Sequence, residues 1–336
     1  MTDLIKTLCS LDATSGDEKA VRDFITTQID GFCDWRIDNL GNIIAFKKGE
    51  KKPLKKVMLD AHTDEVGLII TSITDKGYLK FKTVGGIDVA ALMLRKVKIN
   101  GEIFGVISGK PIHLLSGDET KKLPKADSLY IDIGVSSKEE AEKLIMPGDR
   151  AVICGDAVIS GDKILSKALD DRVGCAILIT LLRNYNEYDF YASFSVQEEV
   201  GLRGAKTATF AIDPECALIL EGTTAADIAD VPEEKTVCQL GNGPAVSFMD
   251  NATVYDREFY NAALSSGIKC QPKRAVAGGN NSGAVHLSKE GVRTLAISVP
   301  CRYIHTASSV ADINDCENAL KLAEYMLNGI CSGEIK

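Results

Sequence analysis

Glu198 and Glu199 stand side by side where an alternating run, residues 191–196, gives way to Gly201 and Gly204. Adjacent carboxylates do chemistry when one holds a metal and the other moves a proton. They are equally at home in an acidic helix start, where the positive end of the helix dipole favours them. Other residues of the same chemical kind recur at comparable places. His62-Thr63-Asp64 follows an apolar run at 57–61, Glu221 follows one at 216–220, and His305 follows one at 294–299. Asp170-Asp171 opens a nearly continuous apolar helical stretch, where dipole capping and metal binding are both open. The chain has only four histidines, so two at the ends of strands carry information, although a lone histidine also serves as a hydrogen-bonded structural residue.

His62, Asp170, Glu199, Glu221 and His305 together make five nitrogen and oxygen donors. That is what two divalent metals need if one carboxylate bridges them. Glu198 is then left as a general base for a shared water, and Asp64 as the group that orients the ring of His62.

The elements that must position these residues read as α/β. Ser15 and Glu18 have the spacing of a capping box for a helix with Val21, Phe24, Ile25 and Ile29 on one face. Strand-like runs follow at 35–38 and 43–46, then the 57–61 run and its His62. From Gly67 to about Asp162 the character changes. Short β-like runs at 68–73, 78–83, 96–99, 103–107, 129–133 and 150–153 are punctuated by glycine turns, which predicts a small barrel or sandwich inserted in the chain. His113 lies in that insert and is given a structural or interface role. The α/β pattern resumes with a buried helix at 172–182, strands at 191–196, 216–220, 244–248 and 294–299, and an amphipathic helix at 313–328. Residues 222–244 read as a long functional loop. Gly278-Gly279-Asn280-Asn281-Ser282-Gly283 reads as a glycine-rich helix entry, a turn with close backbone packing rather than a phosphate loop.

Four of these stretches, taken in order, resemble one family. His62-Thr63-Asp64-Glu65-Val66-Gly67, Lys167-Ala168-Leu169-Asp170-Asp171-Arg172, Glu198-Glu199-Val200-Gly201-Leu202-Arg203-Gly204-Ala205 and Arg302-Tyr303-Ile304-His305 are similar to the motifs of the tetrahedral (TET-type) dinuclear-metal aminopeptidases. The family includes glutamyl and deblocking aminopeptidases and members labelled endoglucanases. The resemblance runs nearly end to end. It implies a mixed-sheet α/β/α metallopeptidase domain formed by residues 1–66 and 163–336, with residues 67–162 as an inserted β-barrel dimerisation domain. It implies that His62, Asp170 and Glu221 hold one metal, and Asp170, Glu199 and His305 the other, zinc or cobalt, with Glu198 as base. It further implies short peptide substrates and a homo-oligomer, dimers assembling into a tetrahedral dodecamer. Glu221 stands where many relatives have Asp, and Asn281 where relatives usually have Asp.

Composition bounds the alternatives. At 336 residues with a net charge of −8, the chain lacks the basic balance of a general nucleic-acid binder. No stretch approaches the roughly 18 apolar residues of a membrane helix. The first residues lack a signal peptide's pattern, and ten scattered cysteines read as reduced, so a cytoplasmic location is expected. A glycosidase is the runner-up, since paired carboxylates also cleave sugars. Against it, neighbours on a strand point to opposite faces, and one Trp with 6% aromatics offers little for sugar stacking. A non-catalytic assembly protein on a degenerate peptidase fold is the third reading, opposed by the presence of every donor. The preferred N-terminal residue is left open.

Overall fold

The central runs, at 57–61, 191–196, 216–220 and 294–299, are largely apolar on both faces because they are covered on both faces. In the computed structural model, which describes residues 1–117 and 121–336, they form the middle of one mixed sheet of eleven strands among the described residues. The main path runs Asp34–Ile37, Ile43–Lys47, Phe190–Ser195, Val57–His62, Cys216–Thr224, Arg293–Arg302, Ser309–Asp312, Lys163–Ser166, Val158–Ser160. At its centre Phe190–Ser195, Val57–His62, Cys216–Thr224 and Arg293–Arg302 are parallel neighbours. Alternation sorts their side chains. Leu59, Leu218 and Leu220 pack into the larger core with helices Thr2–Ser10, Lys19–Ile29, Leu169–Asn184 and Ile313–Ser332. Met58, Ala217 and Ile219 face the smaller core under helix Arg203–Ile212. The layers are therefore α/β/α.

The six strands expected in the insert are all present, as Gly67–Ile73, Leu79–Val84, Lys96–Ile99, Ile103–Ser108, Tyr130–Asp132 and Arg150–Ile153. They close an antiparallel barrel around Leu68, Ile70, Phe81, Val97, Ile107 and Ile131. Closure removes the free edges such short strands would otherwise expose. His113 is exposed on a 3-10 turn of this insert.

Several local expectations change. Helix Thr2–Ser10, not anticipated, buries Ile5, Leu8 and Cys9 against the large core. Helix Lys19–Ile29 has no side-chain cap. Ser15 lies outside it, since the helix begins at Lys19 with Glu18 at the N-cap, and its hydroxyl donates to Asp64 Oδ2 at 2.7 Å. Glu18 accepts from the Gly16 and Gln197 amides. Tertiary partners outbid the local box. The strand expected to stop before Glu221 continues to Thr224, so that residue lies within it. The 278–283 loop enters a helix of only four residues, Ser282–Val285.

Candidate metal centre

Four parallel neighbours put their carboxyl ends at one edge of the sheet, which is why residues far apart in sequence meet there. Ile219 pairs with Asp60, and extending that register by two residues sets Glu221 beside His62 on the same face. The following loops turn the other side chains inward through left-handed backbone at Ala168, Gln197, Tyr303 and His305. Such conformations are uncommon for residues other than glycine and concentrate at functional sites. Glu198 and Glu199 lie beyond the end of their strand, after Gln197, and both line one cavity. The expectation that they point to opposite faces is therefore corrected. Strand alternation does not govern a loop.

Asp170 is the hub. Its Oδ1 lies 3.4 Å from His62 Nε2, and its Oδ2 lies 3.6 Å from His305 Nε2. Glu221 Oε2 stands 3.6 Å from His62 Nε2, and Glu199 Oε1 stands 3.2 Å from His305 Nε2. Two donor groups thus share one carboxylate. Donor atoms about 2.1 Å from a tetrahedral metal stand roughly 3.4 Å apart, so the spacing fits divalent cations. Asp170 Oδ1 and Glu221 Oε1 are buried without a hydrogen-bond partner, which leaves lone pairs for such a cation. Asp171 is also within reach of His62 and Glu221. Its oxygens are engaged, however, by the His62 amide at 3.1 Å and the Gly174 amide at 2.9 Å. Asp171 caps the helix and fixes the backbone of His62.

Asp64 does more than orient one ring. Its Oδ1 lies 3.4 Å from His62 Nδ1 and accepts the Glu198 amide at 2.9 Å, while Oδ2 accepts the Glu199 amide at 3.1 Å. One buried carboxylate thereby sets the positions of three residues. Cys175 Sγ adds a contact to the His62 carbonyl.

Electrostatics follow from burial and crowding. Burial opposes a charged His62, but Glu221, Asp170 and Asp64 outweigh it and raise it well above the usual imidazole range. Burial likewise opposes charge on His305, and Asp170 with Glu199 raises it to about 11. Burial would raise Asp170, yet the two histidines hold it well below the usual carboxylate range. Burial, with repulsion from Glu199, Asp170 and Asp64, pushes Glu198 up to about 8 against the pull of His62. Protons on two histidines thus offset a dense carboxylate cluster, and a divalent cation competes for the same positions.

Two sets of residues escaped assignment from sequence. Glu65 accepts from Lys167 Nζ at 2.6 and 2.8 Å and from Arg172 Nη2 at 3.3 Å, all three being buried. Arg172 also donates to the Thr63 carbonyl. This cluster ties the His62–Asp64 segment to the helix that follows Asp170. Glu65→Gln leaves the two cations partly unpaired in the interior and is expected to lower unfolding free energy by about 3 kcal/mol. Urea denaturation checks it, and a loss within experimental error would remove the cluster from the scaffold. The signal was available in the motifs, as buried-type charges at fixed distances from His62 and Asp170. Asn281 is the second case. It is fully buried and donates to Asp60 Oδ2 at 2.7 Å and Ser195 Oγ at 2.8 Å, beneath the site. Its role is to pin the loop, while Gly278, Gly279 and Asn280 line the cavity. The barrel also reaches this region. A β-carbon at Gly85 would lie 3.2 Å from Glu199 Cβ, and one at Gly86 would lie 3.7 Å from His305 Nδ1.

The cavity beside these residues holds about 520 Å³ and continues past Leu202, Thr223, Val237 and Ile304. Residues 41–322 match the model of the M42 glutamyl aminopeptidase family. The chain belongs to that family. Among its relatives, the lysyl aminopeptidase of Pyrococcus furiosus is 33% identical, the match covering 97% of this chain and 96% of that one. Aminopeptidase APDkam598 of Desulfurococcus kamchatkensis superposes with a TM-score of 0.94 at 35% identity, covering 100% of this chain and 96% of its own. The Pyrococcus horikoshii TET1 peptidase, which can assemble into a tetrahedron or a large octahedral shell, superposes with a TM-score of 0.85 at 33% identity. That match covers 96% of this chain and 98% of the TET1 chain. This M42 chain is an aminopeptidase with a candidate metal site, on the mixed α/β sheet and inserted barrel described above. No helix among the described residues is long and apolar enough to cross a membrane.

Proposed function

We propose that this M42 aminopeptidase removes N-terminal residues from short peptides with two divalent ions, zinc or cobalt. His62, Asp170 and Glu221 hold one ion, Asp170, Glu199 and His305 hold the other, and Glu198 is the general base. The observation that carries this reading is the division of Asp170, one oxygen facing each histidine and each histidine backed by a glutamate. Zinc and cobalt both suit mixed imidazole and carboxylate donors. When bound, the ions supply Lewis acidity at a carbonyl oxygen and make water a stronger acid. The chain's own residues do the rest. Glu198, at the cavity wall and outside both donor groups, takes the proton of the attacking water and returns it to the leaving amine. Asp64 holds the backbone from which Glu198 projects, so the base is placed without a search. Cations bound by the adjacent carboxylates offset the repulsion that raises Glu198, returning it toward the range of a base active near neutrality.

Residues 67–162 serve in this reading as the dimerisation domain of a homo-oligomer, with dimers assembling to a dodecamer. Phe104 and Met146 on this segment, exposed at 62% and 65%, supply apolar surface for such contacts. A glycosidase finds no support in a carboxylate cluster interleaved with two histidines.

Metal content and hydrolysis of an aminoacyl-p-nitroanilide panel, before and after chelation, test the proposal. About two ions per chain are expected. Activity should vanish on chelation and return with zinc or cobalt. Chelator-resistant hydrolysis, or no bound metal after loading, would overturn it.

A further inference from the structure

The two histidines of the candidate metal centre are held by different means. The side chain of His62 is 1% exposed at the end of a central strand, and Asp64 Oδ1 lies 3.4 Å from its Nδ1. The side chain of His305 is 30% exposed, and its two carboxylate neighbours, Asp170 and Glu199, both meet Nε2. No side chain among the described residues hydrogen-bonds its Nδ1, and Gly86 of the barrel comes close without a side chain to offer. His305 also lies off the sheet, in the connection between strands Arg293–Arg302 and Ser309–Asp312. Tyr303 and His305 take left-handed backbone there, a conformation that persists only where the surroundings hold it. At one end of this connection the Tyr303 carbonyl accepts from Thr306 Oγ1 at 2.7 Å and Ser309 Oγ at 3.0 Å. The other end rests on Arg302. Its Nε and Nη2 donate to Asp227 Oδ1 and Oδ2, each at 2.8 Å. A bidentate fork fixes direction as well as distance, which most exposed ion pairs do not. Asp227 is itself tied down, since its Oδ2 also accepts the Leu240 amide at 3.0 Å. Two residues before it, Ala225 donates to the Cys301 carbonyl at 2.8 Å and accepts the Val237 amide at 3.0 Å. The fork thus joins the segment of Val237 to that of Ile304, and both of these residues line the cavity.

We propose that the Asp227–Arg302 pair is the positioning device for His305, doing through the backbone what Asp64 does for His62 at the ring. The inference rests on the two-ion reading, in which His305 is a ligand. A ring with no partner at Nδ1 is aimed by its own backbone. That backbone starts from Arg302, three residues earlier, whose direction the fork sets. Without the fork the connection relaxes toward ordinary backbone, and Nε2 leaves Asp170 and Glu199. The effect is confined to one donor group. His62 and Glu221 are held by neighbouring strands and, for His62, by Asp64 and Asp171, none of which hydrogen-bonds to this pair among the described residues. An ion pair that served only the scaffold would disturb both donor groups alike.

The test uses the full chain, stripped of metal and titrated calorimetrically with cobalt. The native protein should take up about two ions per chain. D227N keeps the shape of the side chain and loses its charge. It should weaken one ion by about 10-fold and leave the affinity of the other unchanged. R302K, which keeps the charge and loses the fork, should weaken the same ion. Turnover of the best aminoacyl-p-nitroanilide by D227N should fall at limiting cobalt and recover at saturating cobalt. A misplaced ligand allows that recovery, and a collapsed cavity does not. Two ions of native affinity in D227N, equal weakening of both, or a loss of turnover that excess cobalt does not restore overturns the role of the pair. Each of these outcomes leaves the two-ion reading standing. A native chain that binds fewer than two ions strikes at that reading itself. The crystal structure of metal-free D227N then decides the pair separately. A His305 ring displaced from Glu199 supports the assignment, and a ring whose Nε2 still lies 3.2 Å from Glu199 Oε1 overturns it.

Discussion

Glu198→Gln is expected to keep its full complement of metal and to lose about 10²–10⁴-fold in turnover. The side chain keeps its shape but no longer accepts a proton. Its amide remains on Asp64 Oδ1, so the loop that carries Glu199 keeps its place. Neither donor group contains Glu198, and removing its charge relieves repulsion among Glu199, Asp170 and Asp64 rather than adding to it. The loss should therefore fall on kcat, with KM little changed. Metal analysis beside steady-state kinetics on one aminoacyl-p-nitroanilide separates the cases. Turnover within tenfold of the native enzyme would assign the base elsewhere. Loss of metal in the variant would make Glu198 a ligand.

Asp170→Ala should have the larger effect on metal. Removing the one carboxylate that faces both histidines takes a donor from each group, and bound metal should fall from about two ions per chain to nearly none. His62→Ala and His305→Ala each disturb one group and should each cost about one ion. Hydrolysis by Asp170→Ala should be indistinguishable from background even with excess cobalt. Circular dichroism controls for folding, since Asp170 lies in the first turn of helix Leu169–Asn184, whose Asp171 and Arg172 bind the His62 amide and the Thr63 carbonyl. A folded Asp170→Ala protein that still binds two ions would show that the two groups do not share it.

The chain's short-range patterns carried much of the fold. Buried parallel strands read as nearly continuous apolar runs, so the run ending at Leu220, and the one ending at Ala61 despite its buried Asp60, were readable without partners. The barrel's strands alternate between a core and an outer surface and are separated by glycine turns, so all six were legible. Patterns that compete with distant partners were not. Ser15 has the spacing of a helix cap, but Asp64, forty-nine positions away, receives its hydroxyl. Glu198 and Glu199 followed a strand too closely for alternation to show that the strand had already ended.

The sequence by itself determined which residue types lie at the ends of which strands, and through four ordered motifs the family they resemble. Only the tertiary structure decided which of those ends are neighbours. Sheet order places the strand of His62 between those of Glu198 and Glu221, and register turns His62 and Glu221 to one face. It also decided that Asp171 binds backbone while Asp170 faces the cavity. The reason is physical. Periodicity records how a segment meets one layer of packing, whereas a site is a meeting of several segments, set by hydrogen-bond register and by loops whose local sequence is compatible with many paths.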